Sequence, residues 1–163
     1  MQSGEQGMES NLLERIRQEE RDEVVQSLAV RDIGEEDIEA VLVLWDETGL
    51  SEGWHDQQGD IAFSMKSENS TILVAAVGGD VVGTLMVGHD GHWGWLYYLG
   101  VVDSWRALGL GQCLLEEGES WLRERGLRKV NLLVHDDSVS GLKDYYERMS
   151  YYRYPTMHMQ KLL

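Results

Sequence analysis

Tyr98-Leu99-Gly100-Val101-Val102-Asp103-Ser104-Trp105-Arg106-Ala107-Leu108-Gly109-Leu110-Gly111-Gln112 carries an apolar strand through a glycine-bearing turn into the start of a helix. Glycines let the backbone approach a ligand closely, and the first N–H groups of a helix have no intrahelical partner. With the helix dipole behind them, such amides make a socket for phosphate. Arg106 adds a fixed positive charge. Three phosphate-binding designs compete for this junction, and spacing separates them. A P-loop needs Gly-Lys-Ser/Thr, whereas Gly111 is followed by Gln112 and Cys113. A dinucleotide fingerprint needs a third Gly or Ala, where Leu114 stands, and a preceding parallel βαβ unit, of which the chain has no sign. What remains is Arg-x-x-Gly-x-Gly, at Arg106, Gly109 and Gly111, after an apolar strand.

Upstream of the junction, three strand signals follow closely at 71–77, 81–88 and 95–102. Gly78-Gly79-Asp80 and Asp90-Gly91-His92 are the turns between them, which makes an antiparallel meander. Before the meander, Leu28-Ala29-Val30-Arg31-Asp32-Ile33 alternates as a strand. Ile38, Val41, Leu42 and Trp45 fall at helical spacing after an acidic first turn, Gly49 closes that helix, and 60–66 is a weaker one. Downstream the pattern is helix (111–125, stopped by Gly126), strand (129–135), helix (about 138–149) and a last strand from Tyr152 towards Gln160. Strands giving way to strand and helix alternation predict an α/β (mixed α+β) fold, with a mixed sheet of six or seven strands flanked by about four helices. Residues 1–26 are expected to be an N-terminal extension, helical or mobile, and 27–163 the compact domain.

The chain has 163 residues, 42% apolar and 26% charged, with one proline and one cysteine. A lone Cys113 makes neither an internal disulfide nor a metal cluster, which excludes zinc-finger readings and fits a reducing compartment. No export signal or membrane-length apolar run is visible, so a cytoplasmic protein is expected. The net charge of −15 repels phosphate backbones and argues against nucleic-acid and membrane partners. All of that imbalance lies in residues 1–102, with 5 Lys/Arg against 20 Asp/Glu; residues 103–163 carry 9 of each. An acidic half beside a neutral half suits one cationic and one anionic ligand.

The 106–111 pattern resembles the acetyl-CoA site of the GCN5-related N-acetyltransferases (GNAT). Tyr145-Tyr146-Glu147-Arg148-Met149-Ser150-Tyr151 is similar to the family's aromatic-Tyr-x-x-x-Gly-aromatic segment, in the helix after the fifth strand, where the family has it. Element order and spacing agree from about Leu28 to the end. A narrower likeness is to YpeA-type acetyltransferases, in Leu44-Trp45, Trp54 with Asp56, Asp90-Gly91-His92 and Tyr97-Tyr98-Leu99-Gly100-Val101. Three positions depart from the family pattern. Ser150 replaces a glycine just past a helix, Val139 (or Ser138) stands where an Asn is frequent, and Trp95 with Leu133 or Val134 stands where many relatives keep a general-base glutamate.

The resemblance implies acetyl transfer from acetyl-CoA to a primary amine, by direct attack in a ternary complex and without a metal. It implies that the backbone of Leu99, Gly100 and Val101 holds the pantetheine arm, the Val101 amide polarising the thioester. The amides of Arg106, Ala107, Leu108, Gly109, Leu110, Gly111 and Gln112 would bind the pyrophosphate, and Tyr146 would give its proton to the departing thiolate. Trp54, Asp56, Asp90 and His92 are the expected acceptor-side residues. The base is open among Asp90, His92, His135, Asp56, His55 and water in an acidic mouth. The acceptor, small molecule or protein, is expected to be cationic, and a homodimer joined through the extension is left open. The alternative is a non-catalytic acyl-CoA sensor or interaction module that kept the fold and lost the base.

Overall fold

The computed structural model describes residues 27–51, 56–106, 108–134 and 141–161. The expected extension at 1–26, Trp54, His55, Ala107, His135, Ser138 and Val139 lie outside the described residues. The chain divides into two compact units, one ending at Leu132 and the other running from Leu133 onward.

The first unit holds β1 (Leu28–Asp32), a 3₁₀ turn (Glu35–Asp37), α1 (Ile38–Glu47), α2 (Gln57–Lys66), β2 (Ser70–Val77), β3 (Asp80–His89), β4 (Gly94–Val101), α3 (Asp103–Arg106), α4 (Leu110–Glu124) and β5 (Val130–Leu132). Its sheet runs in sequence order, antiparallel from β1 to β4 and parallel between β4 and β5. The meander is therefore as expected, with both glycine-bearing turns where the sequence puts them. The sheet has five strands among the described residues rather than six or seven.

Helices cover both faces, for a reason visible in two adjacent residues of β3. Successive strand side chains point to opposite faces. Thr84 accepts a hydrogen bond from the Trp45 indole of α1 at 2.9 Å. On the other face, a Cβ at Gly118 of α4 would lie 2.6 Å from Leu85 Cδ2, so only hydrogen fits and α4 docks closely. The first face holds the cluster of Ile33, Val41, Leu44, Trp45, Ile61, Ile72 and Val74; Leu110, Leu114, Leu115 and Leu122 line the buried side of α4.

The acidic start of the 3₁₀ turn has a specific function. Asp37 is buried, accepts the Gly34 N–H at 2.7 Å and both guanidinium nitrogens of Arg31, one at 2.9 Å. The Arg31 hydrogen bonds, more than any other cause, hold its carboxyl below the usual carboxylate range against the opposing effect of burial. A depressed carboxylate contributes stability above its unfolded pKa and loses it as pH falls through its folded value. The thermal midpoint is expected to fall steeply below about pH 4; in Asp37→Asn the midpoint starts lower and this acid limb flattens, as calorimetry across pH would show.

The second unit contains α5 (Leu142–Arg148) and, beyond it, the stretch in which a last strand is expected. No ladder forms there among the described residues. Pro155 has no N–H to give a ladder, and beside it the Thr156 N–H turns back to the Tyr154 carbonyl at 2.9 Å. Tyr152, Met157 and Met159 are 76%, 85% and 84% exposed, so the alternation buries nothing. Ser150 has φ +68, the left-handed conformation that the glycine of the motif would adopt freely. Ser150→Gly is expected to raise stability by about 1 kcal/mol, measured by denaturant unfolding.

Candidate active site

The β4·β5 ladder extends only from Gly94↔Val130 to Leu96↔Leu132. The edge of β4 from Tyr97 to Val101 thus has no ladder partner among the described residues. Opposite it, the β3·β4 register slips: Thr84 pairs with Gly100 and Met86 with Tyr97, so Tyr98 and Leu99 face Leu85 alone. This is a β-bulge, which bends the strand that carries it. Tyr98 sits there at φ +49, a conformation costing a residue with a side chain on the order of 1 kcal/mol.

Beyond the bulge, the Val102 N–H donates to the Val82 carbonyl at 3.1 Å, on the β3 side. Backbone groups alternate along an antiparallel strand, so those of Val101 point to the other edge. Its carbonyl accepts from Arg106 Nε there at 3.1 Å. Gly100 serves packing: a Cβ would lie 2.8 Å from Leu44 Cδ2 and 2.9 Å from Leu50 Cδ1, at the end of α1.

The strand passes through α3 to Gly109, which takes φ +78 to turn the chain into α4. Arg106 bridges the junction, with its Nη1 3.0 Å from Asp103 Oδ1 and its Nε on Val101. Leu108, Leu110, Gly111 and Gln112 complete the described part of the loop and the first turn. That turn differs from the rest of the molecule. Glu39, Asp60, Asp103 and Asp144 stand in the first turns of α1, α2, α3 and α5, and the 3₁₀ turn is wholly acidic. Among the described helices α4 alone has neither an acidic residue in its first turn nor a side-chain cap on its N–H groups. In a chain of net charge −15, the positive end of its dipole thus meets no acidic side chain in its own first turn.

The acceptor-side residues that can be described have local partners. Asp56 caps α2, its Oδ1 accepting the Gly59 N–H at 2.9 Å. Asp90 Oδ1 accepts the N–H groups of His92 at 2.8 Å and Trp93 at 2.6 Å. The Trp93 bond first, then that of His92, hold its carboxyl below the usual range. Asp90 is therefore a poor proton acceptor at neutral pH and a dependable negative charge. The His92 ring stacks on Trp93 at 5.2 Å, and Trp93, Trp95 and Tyr97 continue an aromatic row at 6.3 and 6.2 Å. Tyr97, 40% exposed, has its phenol pushed up by burial and then by the Asp90 charge.

Within the second unit, Tyr146 makes edge-to-face contacts with Tyr145 at 5.3 Å and Tyr151 at 5.8 Å. Burial first, and Tyr145 second, push its phenol up to about 12, so it is protonated throughout the neutral range. Burial and then Glu117 raise the Cys113 thiol, which leaves little thiolate for nucleophilic work. No group of side chains suited to a metal ion occurs among the described residues.

Thr84 is a residue that the motifs do not single out; Tyr98 stands in them without a role, and its contact with Thr84 is seen only in the fold. A polar Thr84 within the apolar run of β3 is the one signal that could have found the first.

The fold has many counterparts among solved structures. An acetyltransferase from Trypanosoma brucei is 21% identical at a TM-score of 0.64, with 83% of this chain and 99% of that one covered. Glucosamine-6-phosphate N-acetyltransferase from Arabidopsis thaliana is 18% identical at 0.65, covering 83% and 97%. AAC(6')-Iy, in complex with the bisubstrate analog CoA-S-monomethyl-acetylneamine, is 14% identical at 0.66, covering 83% and 99%. Residues 30–151 match the model of the acetyltransferase (GNAT) family, and the chain belongs to that family.

Proposed function

We propose that the protein transfers an acetyl group from acetyl-CoA to a primary amine, which attacks the thioester directly in a ternary complex. The observation that carries this reading is the first turn of α4, with no side-chain cap and no acidic residue in an otherwise acidic molecule, one turn of chain beyond the end of β4. The amides from Arg106 to Gln112 bind the pyrophosphate. The pantetheine arm lies along Leu99, Gly100 and Val101 as an added strand, with the Val101 amide on the thioester carbonyl. Tyr146 donates its proton to the departing thiolate. Desolvation favours the protonated form of phenol and thiol alike, so surroundings that weaken the acid also strengthen the thiolate as a base. The raised thiol of Cys113 argues against a covalent acetyl carrier there, consistent with direct attack.

The acceptor is a cationic amine, held by Asp90 with His92, Asp56 and Trp54 on the acidic side of the chain. The similar structures of AAC(6')-Iy with the bisubstrate analog CoA-S-monomethyl-acetylneamine and of glucosamine-6-phosphate N-acetyltransferase lend weight to a small molecule over a protein lysine. Asp90, ionised by its two backbone hydrogen bonds, anchors the ammonium, and water in the acidic mouth takes the proton. The narrower likeness to YpeA-type enzymes and a cytoplasmic location belong to the same reading. No helix among the described residues is long and apolar enough to cross a membrane.

Calorimetry with acetyl-CoA and a thiol-release screen against mixed amines test it. Binding together with amine-dependent release is expected, and the absence of binding would overturn the proposal. A second reading, an acyl-CoA sensor without catalysis, is favoured by Trp95 at the base position and by the weak basicity of Asp90. Binding without release across the whole panel would select it.

A further inference from the structure

Tyr98 is held in its left-handed conformation from three sides. Its ring stacks on Trp45 at 4.1 Å and 16° between planes. Its carbonyl accepts from the Thr84 hydroxyl at 3.1 Å, and its own hydroxyl reaches Asp60 Oδ2 at 3.4 Å. The Thr84 oxygen in turn accepts from Trp45 Nε1 at 2.9 Å, and both residues are fully buried.

Peptide planarity extends this grip by one residue. In a trans peptide the C=O of one residue and the N–H of the next point in opposite directions. With the Tyr98 carbonyl held by the Thr84 hydroxyl, the Tyr98–Leu99 peptide plane is fixed, and with it the Leu99 N–H, which points opposite to that carbonyl.

We infer that Thr84, Trp45 and Tyr98 form a clamp that fixes the direction of the Leu99 amide, which makes Thr84 a positioning residue for the pantetheine arm. This rests on the proposed acetyl-CoA site. The clamp acts on binding: Thr84 touches neither the thioester nor the amine, so its loss weakens the hold on the cofactor arm and leaves the chemical step alone.

Thr84→Val keeps the side-chain shape and removes the hydroxyl. At a temperature where the variant is folded, KM for acetyl-CoA is expected to rise about tenfold, the loss of roughly one well-aligned hydrogen bond, with kcat and acceptor KM within about twofold. Thr84→Ser, which keeps the hydroxyl, is expected to restore the parent KM even though it loses a buried methyl. In ligand-free protein, Thr84→Val should move the Leu99 amide and Trp45 indole resonances while distant amides stay in place. Trp45→Phe, which removes the indole donor together with part of the ring while keeping an aromatic face for Tyr98, should move the Leu99 amide as well, should the valine variant not fold. An unmoved Leu99 amide, an unchanged acetyl-CoA KM in folded Thr84→Val, or a serine variant as impaired as the valine one overturns the clamp. Failure of the parent protein to bind acetyl-CoA overturns the site proposal instead, and the amide shifts, read without ligand, keep the two failures apart.

Discussion

Tyr146→Phe is expected to lower turnover about 10²–10⁴-fold while acetyl-CoA affinity stays nearly unchanged. The substitution removes one proton and one oxygen. The ring contacts with Tyr145 and Tyr151 are edge-to-face packing that phenylalanine reproduces, so the local fold should persist. What disappears is a phenol whose pKa, pushed up to about 12, keeps its proton available at every neutral pH. The wild-type rate should therefore show no alkaline decline from this group through the neutral range. Pre-steady-state thiol release beside calorimetric acetyl-CoA titration separates the two quantities. Equal turnover in the phenylalanine variant would remove the assigned role.

The second large effect concerns Gly111 and has opposite signs in the free and bound protein. A carboxylate in the first turn of a helix stabilises it, because it satisfies orphan N–H groups and complements the dipole. Gly111→Asp, which also removes an interior glycine, should raise the stability of the free protein by roughly 0.5–1 kcal/mol. The same carboxylate occupies the place proposed for a diphosphate. At separations near 4 Å a like charge costs about 1–4 kcal/mol in partly exposed surroundings, so acetyl-CoA affinity should fall about a hundredfold. Gly111→Ala gives the comparison: similar stabilisation, no charge and affinity within a few-fold of the parent. A melting curve and a titration on the two variants decide the matter. If Gly111→Asp binds acetyl-CoA as well as Gly111→Ala does, the pyrophosphate is not at this turn.

The two substitutions also explain why the junction could be read before any fold was known. Arg106, Gly109 and Gly111 lie within six consecutive positions, and what they build is local: a left-handed turn at Gly109 and the unpartnered amides of the turn after it. Ser150 is similar, since its left-handed backbone follows directly from its place one residue past the helix C-cap at Met149. The meander is legible for the same reason, because each of its two turns joins neighbouring strands through glycine.

The sequence offered Asp56 and Asp90 as acceptor-side residues, and it did not show what they do locally. One caps α2 and the other gathers two backbone N–H groups of its own turn, and only coordinates reveal which donors a carboxylate finds. The last strand failed through a different cause. Alternation from Tyr152 onward promises a ladder, but Pro155 and the turn at Thr156 deny it one.

The amino-acid order alone thus determined the order of elements along the chain, the antiparallel meander and the left-handed turn at Gly109 that starts α4, because these depend on neighbours a few residues apart. Tertiary structure alone decided the bulge and its clamp. Trp45 lies 39 residues from Thr84 and Thr84 lies 14 from Tyr98, so no local pattern ties them. Their meeting depends on α1 lying across β3 and β4, and it is this packing that turns an ordinary buried threonine into the group that aims the edge of β4.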